Sequence, residues 1–320
     1  MRAFINPFAL KKSGILGMNS RNVEFISRYN SRKLFPLVDN KLQTKLLAQE
    51  YGINTPSLLF VVHYQHDVYG LKEKLQNISS FVIKPACGSG GKGILVIKGK
   101  KGDDFVKASG AVLSVEEVIR HVTNILAGLY SLSGDQDSAI IETLIEADPF
   151  FDAYSYQGVP DIRIIVFQGY PVMAMLRLST KDSDGKANLH QGAVGVGLDI
   201  QTGKAIHAVM NGVKVLTHPD TKAQLDTIAI ENWREMLLLA CSCYDMSNLG
   251  YLGVDIVLDK NRGAMLLELN ARPGLSIQIA NSKGLLPRLR EIEKVALKKI
   301  RVEERVDLVM NSSLFCASEK

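Results

Sequence analysis

The chain has 320 residues, 46% of them hydrophobic and 22% charged, with a formal net charge of +5. That composition is ordinary for a globular protein with ample core, in one large or two to three small domains, and so mild a basic excess permits an anionic ligand without arguing for nucleic acid. No stretch approaches the roughly 18 uninterrupted apolar residues of a membrane span, and the N-terminal MRAFINPFALKKSG is wrongly ordered for a signal peptide.

These features lead us to expect a reducing cytoplasm. The four cysteines, Cys87, Cys241, Cys243 and Cys316, show neither disulfide nor zinc spacing. Cys241 and Cys243 lie in an apolar helical run and read as buried thiols. No internal repeat or low-complexity tract is visible.

Residues 1–38 are mixed, with basic points at Lys11, Lys12, Arg21, Arg28, Arg32 and Lys33 and a short helix expected over Asn22–Tyr29. A better helix follows over Asp39–Tyr51, with Asp39 as its cap, a stripe of Leu42, Leu46 and Leu47, and Gly52 as its stop. Lys41 and Lys45 lie four apart on one face. A solvated face and a pair of cations beside a phosphate site would both produce that spacing. Ser57–His63 reads as a strand and Val68–Ile78 as a helix.

Phe81–Ile97, FVIKPACGSGGKGILVI, reads as strand, glycine loop, strand. Gly88, Gly90 and Gly93 match G-x-G-x-x-G, yet the dinucleotide fingerprint needs a helix after the loop, and Ile94–Ile97 is strand-like. No Gly-Lys-Ser/Thr closes a Walker A loop either. What is left is a glycine hairpin whose backbone N–H groups can fold over phosphates, with Lys84 on the incoming strand within reach of the same oxygens. A plain glycine-rich hairpin with a surface lysine is the alternative.

Lys98–Ser109 reads as a charged loop, and Ser114–Tyr130 as a helix opened by a Ser114–Glu117 capping box. Ser131–Asp137 reads as a polar linker and Ala139–Ile145 as a buried strand, followed by a long loop over Asp148–Pro160. Asp161–Phe167 alternates, with Ile162, Ile164 and Val166 on one face and Asp161, Arg163 and Ile165 on the other. Tyr170–Leu178 pairs with it. Lys181–Gln191 is loop-like, Ala193–Leu198 and Gly203–Ala208 suggest strands, and Thr221–Leu249 is mainly helical. Leu286–Ile300 is a basic amphipathic helix, and Val306–Lys320 a tail. Interleaved helices and hairpins point to α+β built in lobes, and not to one doubly wound sheet.

Gly250–Gly274, GYLGVDIVLDKNRGAMLLELNARPG, carries the sharpest signal. Leu252–Leu258 and Ala264–Asn270 read as the two strands of a hairpin, with turn chemistry at Asp259–Gly263. With the turn centred on Asn261–Arg262, Asp255 lies opposite Glu268, and Asn270 shares the face of Glu268. Like charges directly opposite in a sheet are destabilising, and carboxylates with an amide oxygen suit Mg²⁺. Two acids facing solvent on a hairpin edge are the alternative.

Taken together, the motifs resemble the ATP-grasp superfamily, in particular its RimK-like branch of α-L-glutamate ligase-related proteins. Four motifs stand in that family's order: Asp39-Asn-Lys41 opening a helix; Lys84 with its glycine loop; Asp161-Ile-Arg163 with Asn188-Leu-His190; and Asp255 with Glu268-Leu-Asn270-Ala-Arg-Pro-Gly274. The resemblance runs from about Asp39 to Gly274.

The resemblance implies an ATP-grasp fold, with two α+β lobes gripping ATP and a reduced N-terminal region at 1–38. The N-lobe with its glycine flap would span 39–145, the C-lobe with the Mg²⁺ site 146–302, and a tail 303–320. Lys41 and Lys84 would contact ATP phosphates, Lys84 also near the adenine end. Gly88, Ser89, Gly90, Gly91 and Gly93 would form a mobile flap. Glu142, with the backbone at Leu144 and Ile145, would bind the adenine edge. Asp161 would sit near the ribose or the acceptor pocket, and Lys186 and Asn188 beside the triphosphate. Asp255, Glu268 and Asn270 would hold two Mg²⁺, or Mn²⁺ in their place. Arg163, Arg177 and Arg272 would bind an acyl phosphate or substrate carboxylates.

The implied reaction joins a carboxylate to an amine through an acyl phosphate and releases ADP and phosphate. The partners would be a small-molecule amino acid and a carboxylate or peptide acceptor, with glutamate or a glutamate-containing peptide as the acid. No nucleic acid is implied, and a homo-oligomer is left open. Bringing an anionic carboxylate to an anionic phosphoryl group makes charge neutralisation the main catalytic need, which Mg²⁺, Lys84 and the arginines would share. His190 could assist, although a lone histidine beside a polar loop is more often structural. Two rivals stand: a kinase-like phosphotransferase, which lacks H-R-D and D-F-G here, and a non-catalytic ATP-binding protein.

Overall fold

The structure is a computed structural model and describes residues 6–88, 90–131, 134–296 and 300–315. Ser89 and Cys316, together with the last residues of the expected tail, lie outside the described residues. The chain divides into two compact units. The smaller comprises Asp39–Leu46 and Thr55–Ile145, and the larger comprises the chain up to Val38, Leu47–Asn54 and Glu146 onward.

The smaller unit is built on β1 (Leu58–Val62), β2 (Phe81–Pro85), β3 (Leu95–Lys101), β4 (Asp104–Lys107), β5 (Val112–Leu113) and β6 (Ala139–Glu142), in the order β1-β6-β2-β3-β4-β5. Phe81, Ile83, Leu95, Ile97 and Phe105 on the sheet pack with Val118, Val122 and Ile125 of the helix Val115–Leu126. That helix opens on the expected capping box: Glu117 N donates to Ser114 Oγ (3.2 Å), and Ser114 N donates to Glu117 Oε2 (2.9 Å). Lys98–Ser109, expected as a loop, is largely the β3–β4 hairpin. Phe105 anchors it in the core while Lys100 lies over the Phe105 ring (5.1 Å to the centroid), so the charged run is the wet face of a strand.

The larger unit carries β7 (Asp161–Phe167), β8 (Tyr170–Leu178), β9 (Val194–Leu198), β10 (Ala205–Met210), β11 (Val213–Lys214), β12 (Tyr251–Asp259) and β13 (Gly263–Asn270), in the order β11-β10-β9-β8-β7-β12-β13. Every pairing in both sheets is antiparallel, which fits α+β rather than a doubly wound sheet. One sheet face packs against the helix Trp233–Ser247 through Trp233, Met236, Leu237 and Ala240, with Cys241 and Cys243 fully buried as read from the sequence. The helix is shorter than the expected Thr221–Leu249, because residues 221–232 hold a short turn at Leu225–Thr227 between β-bridges at Gln224 and Ala229, and Asn248 ends the helix in the left-handed region (φ 54°).

The N-terminal stretch and the helix Val302–Asn311, which takes up part of the expected tail, share this core. Leu16, Phe25, Ile26, Val306 and Val309 are all buried in it, and Phe25 meets Phe167 edge-on at 5.5 Å. Among the described residues no helix is long and apolar enough to cross a membrane.

Candidate active site

In the smaller unit the site begins at a helix start. The helix Lys41–Glu50 is capped by Asn40, not by Asp39: Asn40 Oδ1 accepts from Leu42 N (3.0 Å) and Gln43 N (3.1 Å). Asp39 instead ends the preceding short helix, Pro36–Asp39. The capped start points Lys41 at the glycine loop, where its Nζ donates to Gly88 O and its backbone N donates to Ala86 O (2.9 Å). One turn on, Lys45 is buried.

Lys84 faces it from β2. In the β2–β6 register Lys84 pairs with Ile140, two residues from Glu142, so Lys84 and Glu142 share a face as diagonal neighbours. Lys84 Nζ is 2.6 Å from Glu142 Oε1, and Lys45 Nζ is 2.9 Å from Oε2 as an ion pair lacking hydrogen-bond alignment. Lys45 also donates to Pro56 O. The three side chains are only 7%, 3% and 5% exposed in the order Lys84, Glu142, Lys45, so the cluster is desolvated.

The glycine loop is held at both ends. At its start the Asp137 carboxylate accepts from Cys87 N (3.0 and 3.1 Å) and Ser138 N (2.7 Å). Burial, and then the Asp137 charge, pushes the Cys87 thiol up, so it stays protonated. At its end Gly93 O accepts from His121 Nε2 (2.9 Å), and burial lowers the His121 pKa, favouring the neutral ring. Gly93 has φ +75° and sits where a Cβ would strike the Tyr130 ring at 2.6 Å. Between these anchors Gly90 and Gly91 take φ of +62° and +74° with open space around them, a conformation that glycine adopts at little cost.

In the larger unit a row of charges crosses the sheet. Asp161 pairs with Arg177, Arg163 with Asp255, and Asp255 with Glu268, while Asn270 sits opposite Gly253. Period-two alternation puts these side chains on one face and Ile162, Ile164, Val254 and Leu269 in the core behind them. The Asp255–Glu268 pairing comes about by an unexpected route. The turn is centred on Asn261, with Asp259 opposite Gly263, and a β-bulge between Asp255 and Ile256 then shifts the register by one residue. Without the bulge Asp255 would face Leu267.

Asp255 is fully buried, and its oxygens are held by Arg163 Nε (2.6 Å), Arg163 Nη2 (2.5 Å) and Arg177 Nη2 (2.8 Å). Arg177 also reaches Asp161 Oδ1 through Nε (2.5 Å). Burial alone would raise the Asp255 pKa, but Arg163 and Arg177 outweigh it and hold the carboxyl below the usual range. For Asp161 burial wins over Arg177, and its pKa is pushed up to about 7. Burial would lower the Arg177 pKa, but Asp161 and Asp255 raise it overall. Asn270 Nδ2 lies 3.3 Å from Asp255 and 3.4 Å from Glu268, and Glu268, 37% exposed, is 4.0 Å from Arg163 Nη2.

The expected site residues are thus brought into two clusters, one in each unit, with Glu142 serving as the counter-ion of Lys84 and Lys45. Leu144 and Ile145 are half-buried just beyond β6. Three residues stand apart. Arg272 is exposed and lies over Phe35 (5.0 Å to the centroid), Lys186 is exposed beside Asp184 (3.5 Å), and Asn188 caps a short turn by accepting from His190 N (3.0 Å). His190 itself is exposed. The sequence reading missed Asp137 and His121, whose roles depend on partners far along the chain and left no local signal.

As for the metal, the donor set fits a hard cation in kind: two carboxylates and one amide oxygen on paired strands. Glu268 and Asn270 are the more open of the three candidates, and Asp255 is fully buried against Arg163. Among the described residues no group of three or more His, Cys, Asp and Glu side chains is placed to hold a metal ion.

No curated protein matches the chain. Solved structures resemble it distantly. D-cycloserine synthetase DcsG is 14% identical, with a TM-score of 0.48, over 95% of this chain and 83% of that one. The ATP-grasp ligase PsnB, solved with a phosphomimetic variant of its minimal precursor, Mg and ADP, is 13% identical, with a TM-score of 0.47, over 84% of this chain and 62% of that one. D-Alanine–D-alanine ligase from Bacillus anthracis, complexed with ATP, is 15% identical, with a TM-score of 0.44, over 88% of this chain and 67% of that one. The chain spans less than two thirds of the length of PsnB. Residues 20–294 match the family described as sugar-transfer associated ATP-grasp. The chain belongs to that family and has the ATP-grasp fold.

Proposed function

We propose that the protein is an ATP-dependent carboxylate–amine ligase that works through an acyl phosphate and releases ADP and phosphate. The observation that carries this reading is the row Asp161–Arg177–Asp255–Arg163 beside Glu268 and Asn270 on one sheet face. Such a face offers oxygen ligands for a cation and guanidinium donors within a few ångströms of them. The smaller unit, by itself, carries Lys41, Lys84 and a glycine loop, groups suited to a phosphate chain. Family membership supports the use of ATP.

In this reading Glu268, Asn270 and Asp255 would hold Mg²⁺, whose charge would neutralise phosphoryl oxygens. Arg163 and Arg177 keep Asp255 ionised and in place. Their Nη1 groups, unused among the described contacts, are the donors left for an anionic substrate. Lys84, held by Glu142, presents its ammonium to phosphate. A carboxylate oxygen attacks the γ-phosphorus of ATP and ADP leaves; the amine then attacks the acyl carbon and phosphate leaves. The acid is glutamate or a glutamate-containing peptide, a choice supported by the RimK-like resemblance alone.

The test is incubation with Mg-ATP, amino-acid and peptide pools, followed by mass spectrometry for condensed products. Amide products appearing with equimolar ADP are expected. AMP with pyrophosphate, or phosphorylation of an alcohol without condensation, would sink the ligase reading.

A further inference from the structure

The smaller unit buries two ammonium groups against one carboxylate. Lys84 Nζ lies 2.6 Å from Glu142 Oε1 and Lys45 Nζ lies 2.9 Å from Oε2, and none of the three side chains is more than 7% exposed. Their formal charges leave one positive charge over, and burying excess charge is costly. If Lys45 were apolar, Lys84 and Glu142 would form a one-to-one pair. Glu142 would then cancel the charge that Lys84 carries at the start of the glycine loop.

We propose that Lys45 is a positioning residue for nucleotide binding that acts through Glu142. Lys45 takes up the Glu142 charge, so Glu142 fixes the place of the Lys84 ammonium without neutralising it toward a phosphate chain. Lys45 itself stays committed to Glu142 and the Pro56 carbonyl. The inference rests on the ATP reading above and names which residue keeps that site cationic. A helix-bracing role for Lys45 is the alternative, and counting charge separates the two.

The experiment is calorimetric titration of the full chain with Mg-ATP and, separately, with inorganic tripolyphosphate. Wild type, Lys45→Met and the double variant Lys45→Met/Glu142→Gln leave the cluster one positive charge, none and one. Lys45→Met is expected to weaken both ligands by on the order of tenfold, the effect of one charge a few ångströms away in a poorly screened site. For tripolyphosphate, which carries no adenine, the double variant should recover to within about threefold of wild type, and the gap between single and double should narrow as salt rises.

A bracing role expects the double variant to be at least as weak as the single one. A double variant no tighter for tripolyphosphate than the single therefore overturns the assignment. If the single does not fold, a double variant more than about threefold weaker for tripolyphosphate than wild type overturns it, since the double buries no unpaired acid. A wild-type protein that binds no Mg-ATP overturns the ATP reading instead.

Discussion

The two buried charge clusters are built to opposite balances. On the larger unit's sheet face, Arg163 and Arg177 stand against Asp161 and Asp255, two formal charges of each sign, with that of Asp161 complete only above about pH 7. In the smaller unit, among the described ion pairs, Lys45 and Lys84 both face Glu142. The balanced cluster can stay closed on itself, with its carboxylates held at fixed positions. The unbalanced one keeps a standing demand for an anion. In the proposed reading, burial would serve in the first case to place oxygen ligands, and in the second to hold back a positive charge.

Breaking the balanced cluster should have the largest effect. Asp255→Ala leaves two guanidinium groups buried together, and a loss of about 3–5 kcal/mol is expected. A urea midpoint that falls at unchanged slope would show it, and a loss below about 1 kcal/mol would mean that the balance does not hold this face. Glu268→Ala touches the open edge of the same cluster. It should cut ADP release by about a hundredfold or more, roughly 2.7 kcal/mol of barrier, with melting nearly unchanged because its contact with Arg163 is long and partly exposed. Full turnover at ordinary Mg²⁺ would remove Glu268 from the site.

Arg177→Lys keeps the charge but cannot serve Asp161 and Asp255 with one planar fork. Turnover should fall by one to two orders of magnitude, about 1.4–2.7 kcal/mol, while the Mg-ATP dissociation constant stays put. An equal change in ATP affinity would place Arg177 on the nucleotide instead.

The last effect is a pH dependence. Asp161 has its pKa raised to about 7, so the stability it contributes is full below its unfolded pKa and is lost as pH rises through 7. Asp255 has its pKa lowered and runs the other way, losing stability only as the solution turns acid. Wild type should therefore lose stability relative to Asp161→Asn as the pH rises from about 4 to 8. A difference that does not vary across that window would mean Asp161 is ionised throughout.

The sequence disclosed what rests on local pattern. The Ser114 capping box, the β12–β13 hairpin and the shared face of Asp255, Glu268 and Asn270 all follow from spacing over a few residues. Even there the pairing of Asp255 with Glu268 came from two compensating departures, a turn centre half a residue early and a bulge that restored the register. The helix cap fell one residue late, because Asn40 and Asp39 are equally good caps and only the path of the preceding helix decides between them.

What could not be read was whatever depends on distant partners. Lys45 matches an exposed helical lysine until Glu142, nearly a hundred residues on, is placed beside it. The β3–β4 hairpin hid because its outward residues are charged and its inward anchor, Phe105, is a single residue. Arg163 and Arg177 looked like substrate ligands, and the structure first shows them paired with Asp255 and Asp161.

Isotope transfer tests the proposed chemistry most directly. A carboxylic acid substrate found by product analysis is labelled with ¹⁸O in its carboxyl group and turned over with Mg-ATP and the amine. Attack of a carboxylate oxygen on the γ-phosphorus, followed by loss of phosphate, carries one labelled oxygen into each phosphate released, and ³¹P spectra should show that shift at a one-to-one ratio with ADP. Phosphate free of label, formed alongside the amide, would contradict an acyl phosphate route.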